Sequence, residues 1–180
     1  DDAMPGTNLT REEALSRSAH LTVDSYLIEL DLTTGEDSFA SRTTVKFRST
    51  QPGAQTFADL VDATISSITL NGQSIDPATA YLDSRIALSD LAAENELVVE
   101  AMCKYSHTGE GLHRFVDPVD DRVYLYSQFE VPDARRVFTT FEQPDLKSVF
   151  TFHVVAPEHW QVVSNSPTPA PTSLGEGKAR

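Results

Sequence analysis

The chain has 180 residues, 39% hydrophobic and 8% aromatic, which is the length of one well-cored domain and lies outside the polar, aromatic-poor composition of disordered chains. Twenty-seven acidic against 14 basic side chains leave a net charge of −13, whose field repels nucleic-acid phosphates and anionic headgroups, so neither nucleic acid nor membrane is an expected partner. Solubility accounts for that acidity, and an acidic cleft for cations or basic peptides stays open. A single cysteine, Cys103, excludes an intramolecular disulfide. In the apolar stretch 97–103 it reads as a small buried hydrophobe. No run approaches the roughly 18 apolar residues of a membrane span, and the N-terminus lacks the basic and apolar regions of a signal peptide. The expected location is the cytoplasm.

Thr10-Arg11-Glu12-Glu13 forms a capping box with Leu9 and Ala14 at the staple positions, which predicts a short surface helix over 11–19. From there the period drops to two. Val23, Ile28, Leu30 and Leu32 interleave with polar residues as in a half-buried strand, and 43–49, 56–61 and 65–70 continue the series. Asn71-Gly72 tolerates positive φ at both central positions of a type I′ turn, so 65–70 and 73–75 are expected to form a hairpin. Further strands are expected at 85–88, 96–105, 122–129, 148–155 and 160–164, with a helical turn at Asp145-Leu146-Lys147 after Pro144. Many short strands with almost no long helical periodicity predict an all-β fold, an antiparallel β-sandwich with a short N-terminal helix. The division is an N-terminal segment 1–19, a sandwich over 20–165, and a Pro/Gly-rich loop over 166–180 that the end of the chain interrupts.

A zinc-peptidase helix needs two histidines one turn apart with a glutamate between them, because that spacing aims both imidazoles at one metal. His20, His107, His113, His153 and His159 include no such pair and read as scattered surface or turn residues. No Gly-x-Ser-x-Gly elbow is present, and Cys103 has no evident partner histidine. Gly109-Glu110-Gly111 and Gly175-Glu176-Gly177 are turns and not phosphate loops, and Asp120-Asp121 reads as a solvated turn. These residues alone describe a binding or structural β-domain.

One segment changes that reading. Tyr124-Leu125-Tyr126-Ser127-Gln128-Phe129-Glu130-Val131-Pro132-Asp133-Ala134-Arg135-Arg136-Val137-Phe138 is followed by Phe141-Glu142-Gln143-Pro144-Asp145-Leu146-Lys147-Ser148-Val149-Phe150. In order and spacing this closely resembles the aminopeptidase N family, in which Gln-Phe-Glu-Pro-x-Asp-Ala-Arg-Arg leads into Phe-Asp-Glu-Pro-x-Leu-Lys-x-x-Phe. Residues 105–114 look like that family's short linker before the motif strand, and the chain after Met4 fits its N-terminal domain, particularly in actinobacterial members. Glu142 stands where the family often has aspartate.

The resemblance implies a monozinc aminopeptidase whose thermolysin-like catalytic domain carries the metal ligands, while the N-terminal sandwich closes one side of the active site. It implies that Glu130 binds the free α-amino group of a peptide substrate and that Gln128 lines the first side-chain pocket. A strand places residues i and i+2 on one face, so the two can serve one cleft. Arg135 and Arg136 are expected in local salt bridges after Asp133, and Phe138, Phe141, Leu146 and Phe150 in the core or a domain interface. The family's Gly-x-Met-Glu-Asn loop, His-Glu-x-x-His helix and distal glutamate are absent and lie downstream in the family, so zinc and catalysis are expected outside residues 1–180. The competing reading is a self-sufficient β-sandwich that binds protein or carbohydrate.

Overall fold

In a computed structural model of the chain, the described residues are 19–107, 111–128, 133–141, 148–157, 161–163, 173–175 and 178–179. Of the expected N-terminal helix only Ala19 falls among them. It is helical together with His20, while the turn at 145–147 lies outside.

The strands are β1 (Leu21–Asp31), β2 (Ser38–Ser49), β3 (Thr56–Asp59), β4 (Thr64–Leu70), β5 (Gln73–Ile75), β6 (Tyr81–Leu82), β7 (Arg85–Leu88), β8 (Glu94–Lys104), β9 (Gly111–Val116), β10 (Val123–Gln128), β11 (Val149–Pro157), β12 (Gln161–Val163), β13 (Ser173–Gly175) and β14 (Lys178–Ala179). A single-turn helix, α1 (Pro77–Ala80), precedes β6, its first turn capped by the Asp76 carboxylate accepting from the Ala78 amide at 3.0 Å. Eight strands form one sheet in the order β13-β14-β11-β1-β2-β8-β4-β5, and β12-β10-β9 and β3-β7-β6 form two smaller sheets. The fold is an open, all-β, sandwich-like arrangement with little helix.

Alternation explains which faces meet. β1 buries Leu21 and Val23, then Tyr26, Ile28 and Leu30, so the buried set passes from odd to even positions. A bulge against β2 between Val23 and Ser25 inserts the extra residue that makes this change of phase. The same inner face takes Phe39, Val45 and Phe47 from β2 and Leu97, Val99 and Cys103 from β8, and it packs against Ala58, Ile86 and Leu88 of the β3-β7-β6 sheet. At the β4–β5 hairpin Asn71 and Gly72 have φ of 54° and 81°, as a type I′ turn requires. The buried Asn95 braces that turn by accepting from the Asn71 amide group at 3.0 Å.

Two ladders depart from the expected antiparallel pattern. β11 runs parallel to β1, and β12 runs parallel to β10. Alternation reports which face of a strand is buried but not the direction of its neighbour. A parallel pair also needs a long connection, which separates its partners in sequence. The stretch read as a loop after 166 contributes β13 and β14, which pair Gly175 with Lys178 on either side of a two-residue connection.

A non-strand segment passes through the core between the large sheet and the β3-β7-β6 sheet. Val137, Phe138, Thr139, Thr140 and Phe141 are all buried, so their backbone groups have little access to water. Thr140 exchanges two backbone hydrogen bonds with Asp59 at the end of β3, at 2.7 and 3.0 Å. The Thr43 hydroxyl of β2 accepts from the Thr139 amide at 3.3 Å, and the Tyr26 hydroxyl of β1 accepts from the Phe141 amide at 2.9 Å. The Thr140 hydroxyl donates to that same Tyr26 oxygen at 3.3 Å. Phe138 meets the Tyr26 ring edge-on at 6.2 Å, and Phe141 meets Phe47 at 4.9 Å.

Replacing Tyr26 by Phe keeps the ring and removes the hydroxyl that receives the Phe141 amide. Urea unfolding of Tyr26→Phe should show a loss of about 1–3 kcal/mol, the cost of leaving a buried donor unmet. A loss under about 0.5 kcal/mol would mean that the amide finds another acceptor.

Candidate functional site

The motif begins on β10. Residues 111–114, expected as a linker, form most of β9, which pairs antiparallel with β10 from Val123↔Val116 to Gln128↔Gly111. The connection between them is tightly made. The Asp117 carbonyl accepts from the Asp121 amide at 2.8 Å, and its carboxylate accepts from the Val119 amide at 2.8 Å. Asp120 accepts from the Arg122 amide at 2.9 Å, and Asp121 has a φ of 56°, so Asp120-Asp121 is the exposed turn that its composition suggested. At the base of the hairpin His107 Nδ1 lies 3.1 Å from the Arg114 carbonyl, which ties the end of the preceding chain to β9.

Gln128 is therefore the last residue of β10, with its backbone opposite Gly111 at the open end of the hairpin. Its side chain and the whole of Glu130 lie outside what is described. The chain resumes in a 3-10 turn over Asp133–Arg136 and continues into the buried segment 137–141. On this side the anchors are numerous: the Arg135 carbonyl accepts from the Val61 amide at 2.7 Å, and Thr139, Thr140 and Phe141 are bonded as above. Glu130 thus belongs to four residues, 129–132, that join a ladder strand to a segment fastened across both sheets.

Arg136 reaches Asp62 at 3.8 Å, a residue distant in sequence, and Arg135 is buried. Phe138 and Phe141 are core residues as expected, whereas Phe150 is 48% exposed while stacking on Tyr26 with centroids 4.7 Å apart and planes 3° from parallel. Leu146 and Pro144 lie outside the described residues. Sequence reasoning missed Tyr26, Thr43 and Asp59 as positioning residues for this element. Their partners are about 80–115 positions away, and no local pattern marks such contacts.

The sequence pattern of the peptidase M1 N-terminal domain matches residues 22–179, which include Gln128, Glu130 and the whole Asp133–Phe141 element. The chain belongs to that family. A protein named Aminopeptidase N from Streptomyces lividans is 60% identical over 171 residues, covering 93% of this chain and 20% of that protein. The chain spans about a fifth of the length of this relative.

In this M1 N-terminal domain, the described residues contain no group of three or more His, Cys, Asp or Glu side chains able to hold a metal, so the zinc that the resemblance implies has no ligand set among them. His20 is buried beside the Ser49 hydroxyl at 3.4 Å, contrary to its expected surface position, because it leads directly into β1 where the edge of the core begins. A recess of about 470 Å³ brings Asp37, Asp62 and Lys104 beside Tyr105 and His107. Cys103 is fully buried, its thiol 3.7 Å from the Val137 carbonyl, and burial pushes it up to about 12 against a weaker opposing hydrogen bond with Ser41. Burial likewise raises Tyr105 well above the ordinary tyrosine range. A thiol held protonated in the core is no nucleophile at neutral pH.

Both shifts raise the folded-state pKa, so their contribution to stability is fully present below the unfolded values and is lost as pH rises toward the folded ones. The domain should lose stability from about pH 9 upward, by up to about 1.4 kcal/mol per pH unit for each proton released on unfolding. Cys103→Ala should flatten the part of that decline between roughly pH 9 and 12. Urea midpoints across pH 7–11 measure it, and identical profiles for the two proteins would refute the assignment to Cys103. Iodoacetamide at pH 8 should label the native thiol only after denaturant is added.

Proposed function

We propose that this M1 N-terminal domain forms the amine-recognising side of a zinc aminopeptidase's active site. The observation that carries the reading is the 60% identity to a protein named Aminopeptidase N, within a match that includes the Gln128-Phe129-Glu130 motif. The substrate class is peptides with a free N-terminus. The Glu130 carboxylate accepts hydrogen bonds from the substrate α-ammonium, and exclusion of water from that contact strengthens a charge-assisted pair. Because the contact demands a terminal amine, it measures the substrate from its end and restricts cleavage to the first residue. The Gln128 amide borders the space that receives the first side chain.

The zinc ligands and the general base belong to a thermolysin-like catalytic domain outside residues 1–180, so no step of hydrolysis runs through the side chains present. The role of the domain is to hold one end of the substrate at a fixed distance from that chemistry and to close one side of the cleft. The anchored flanks of 129–132 support such a role, since a carboxylate used as a ruler must be held in place by its surroundings.

In the full-length protein, Glu130→Ala should weaken binding of unblocked peptides by about 10- to 150-fold, the range for losing hydrogen bonds to a charged group. N-acetylated ligands should lose little, and Gln128→Ala should act mainly on the preference for the first residue. Equal losses for blocked and unblocked ligands would rule out the amine anchor. Residues 1–180 alone should neither retain zinc nor release an N-terminal amino acid, and activity in that polypeptide would overturn the division of labour.

A further inference from the structure

Of the asparagines in the chain, Asn71 alone precedes a glycine, and Asn8, Asn95 and Asn165 are followed by Leu9, Glu96 and Ser166. That order lays an asparagine open to attack by its neighbour, because glycine has no side chain to shield its backbone nitrogen. Gly72 is exposed, with φ at 81°, and no described atom beyond its chain neighbours lies within 4 Å of where a Cβ would stand. The Asn71 carboxamide is nonetheless tied at both ends to β8. Its Nδ2 donates to Asn95 Oδ1 at 3.0 Å, and its Oδ1 accepts from the Glu96 amide at 2.8 Å. The buried Asn95 is fixed in turn, its Oδ1 accepting from the Ala92 amide and its Nδ2 donating to the Ala92 carbonyl, both at 2.8 Å.

We infer that Asn71 is a site of self-modification by deamidation, held closed by these two hydrogen bonds and released when the β4–β5 hairpin opens. In the reaction the Gly72 backbone nitrogen gives up its proton to hydroxide and attacks Asn71 Cγ. The new Cγ–N bond closes a succinimide ring as the Cγ–Nδ2 bond breaks, and Nδ2 takes a proton from water and leaves as ammonia. Water then adds to one of the two ring carbonyls, giving aspartate through one and isoaspartate through the other. While both hydrogen bonds last, the carboxamide is directed at β8 and is not free to turn onto the Gly72 nitrogen. β5 is three residues long with Gln73 and Ser74 exposed, so opening the hairpin costs far less than unfolding the sheet. The aspartate product does not restore the brace. A carboxylate has no hydrogen to donate and sets an oxygen against Asn95 Oδ1, and turning the Asn95 amide to answer it would forfeit both Ala92 bonds. Each opening that reacts is thereby made permanent.

Mass spectrometry of the peptide carrying residue 71 tests this on the full-length protein, incubated at mildly alkaline pH with and without urea. In urea Asn71 should convert faster than Asn8, Asn95 and Asn165. In the native protein it should convert at least about tenfold more slowly than in urea. That slowing should match, within about threefold, the hydrogen-exchange protection of the Glu96 amide, whose bond to Asn71 Oδ1 reports the same opening. Asn95→Ala should speed the native reaction by about three- to tenfold, the worth of one hydrogen bond, while the other β8 amides stay protected. Deamidated protein, separated by its added negative charge, should unfold at lower urea. Equal native and unfolded rates overturn the inference, as does another of these asparagines outrunning Asn71 in urea. A native rate unmoved in folded Asn95→Ala protein overturns it as well, and so does an unchanged urea midpoint after deamidation. If Asn95→Ala does not fold, the comparison of the slowing with Glu96 protection decides. None of these readouts depends on aminopeptidase activity.

Discussion

Burying a non-strand segment between two sheets obliges its amides and carbonyls to find partners in the protein, because each one left unmet costs about as much as a hydrogen bond is worth. Thr139, Thr140 and Phe141 find such partners in β1, β2 and the end of β3, and the Tyr26 hydroxyl accepts from both the Phe141 amide and the Thr140 hydroxyl. Pairing Thr140 with Asp59 brings the β3-β7-β6 sheet into line with the large sheet, and the rings of Phe138 and Phe141 fill the space between them. Asp59 is itself buried 3.9 Å from Arg85, whose guanidinium also lies 4.2 Å over the Phe57 ring.

The surface charge has a simpler account. On the outer face of the large sheet Arg42 lies 3.8 Å from Glu29 and 3.5 Å from Glu100, and Arg48 pairs with Asp24 at 2.9 Å. These side chains are all substantially exposed, and such pairs contribute little to stability. They are cross-strand neighbours on a solvated sheet face, the reading of the acidity as solubility. The apolar exposure at Val149, Phe150 and Phe152 is different in kind, since two of the three lie on the face that elsewhere forms the core.

Much of the strand layout was legible because one face of each strand is buried and the alternation records it. The Asn71-Gly72 hairpin followed from backbone chemistry alone, whereas the bulge between Val23 and Ser25 was not read from the sequence, where Val23 to Leu32 was taken as one regular period. β9 was missed since a flanking glycine and two basic residues, His113 and Arg114, break its apolar pattern, and β6, β13 and β14 are too short to hold a period. The candidate site was legible in a different way. Gln128 and Glu130 were picked out by a linear resemblance, and composition offered nothing to separate them from other polar strand residues.

By itself the sequence determined the all-β class, the buried inert thiol, most strand positions and the family motif, because each is recorded in residues close together along the chain. Tertiary structure decided which strands run parallel, that Arg136 meets Asp62, and that Tyr26 and Thr43 receive the amides of a segment roughly a hundred residues away. Those contacts depend on how distant pieces of chain are brought together in three dimensions. No local pattern of hydrophobicity or turn chemistry encodes that meeting, since a hydroxyl on a buried strand position looks the same whether or not an amide arrives to use it.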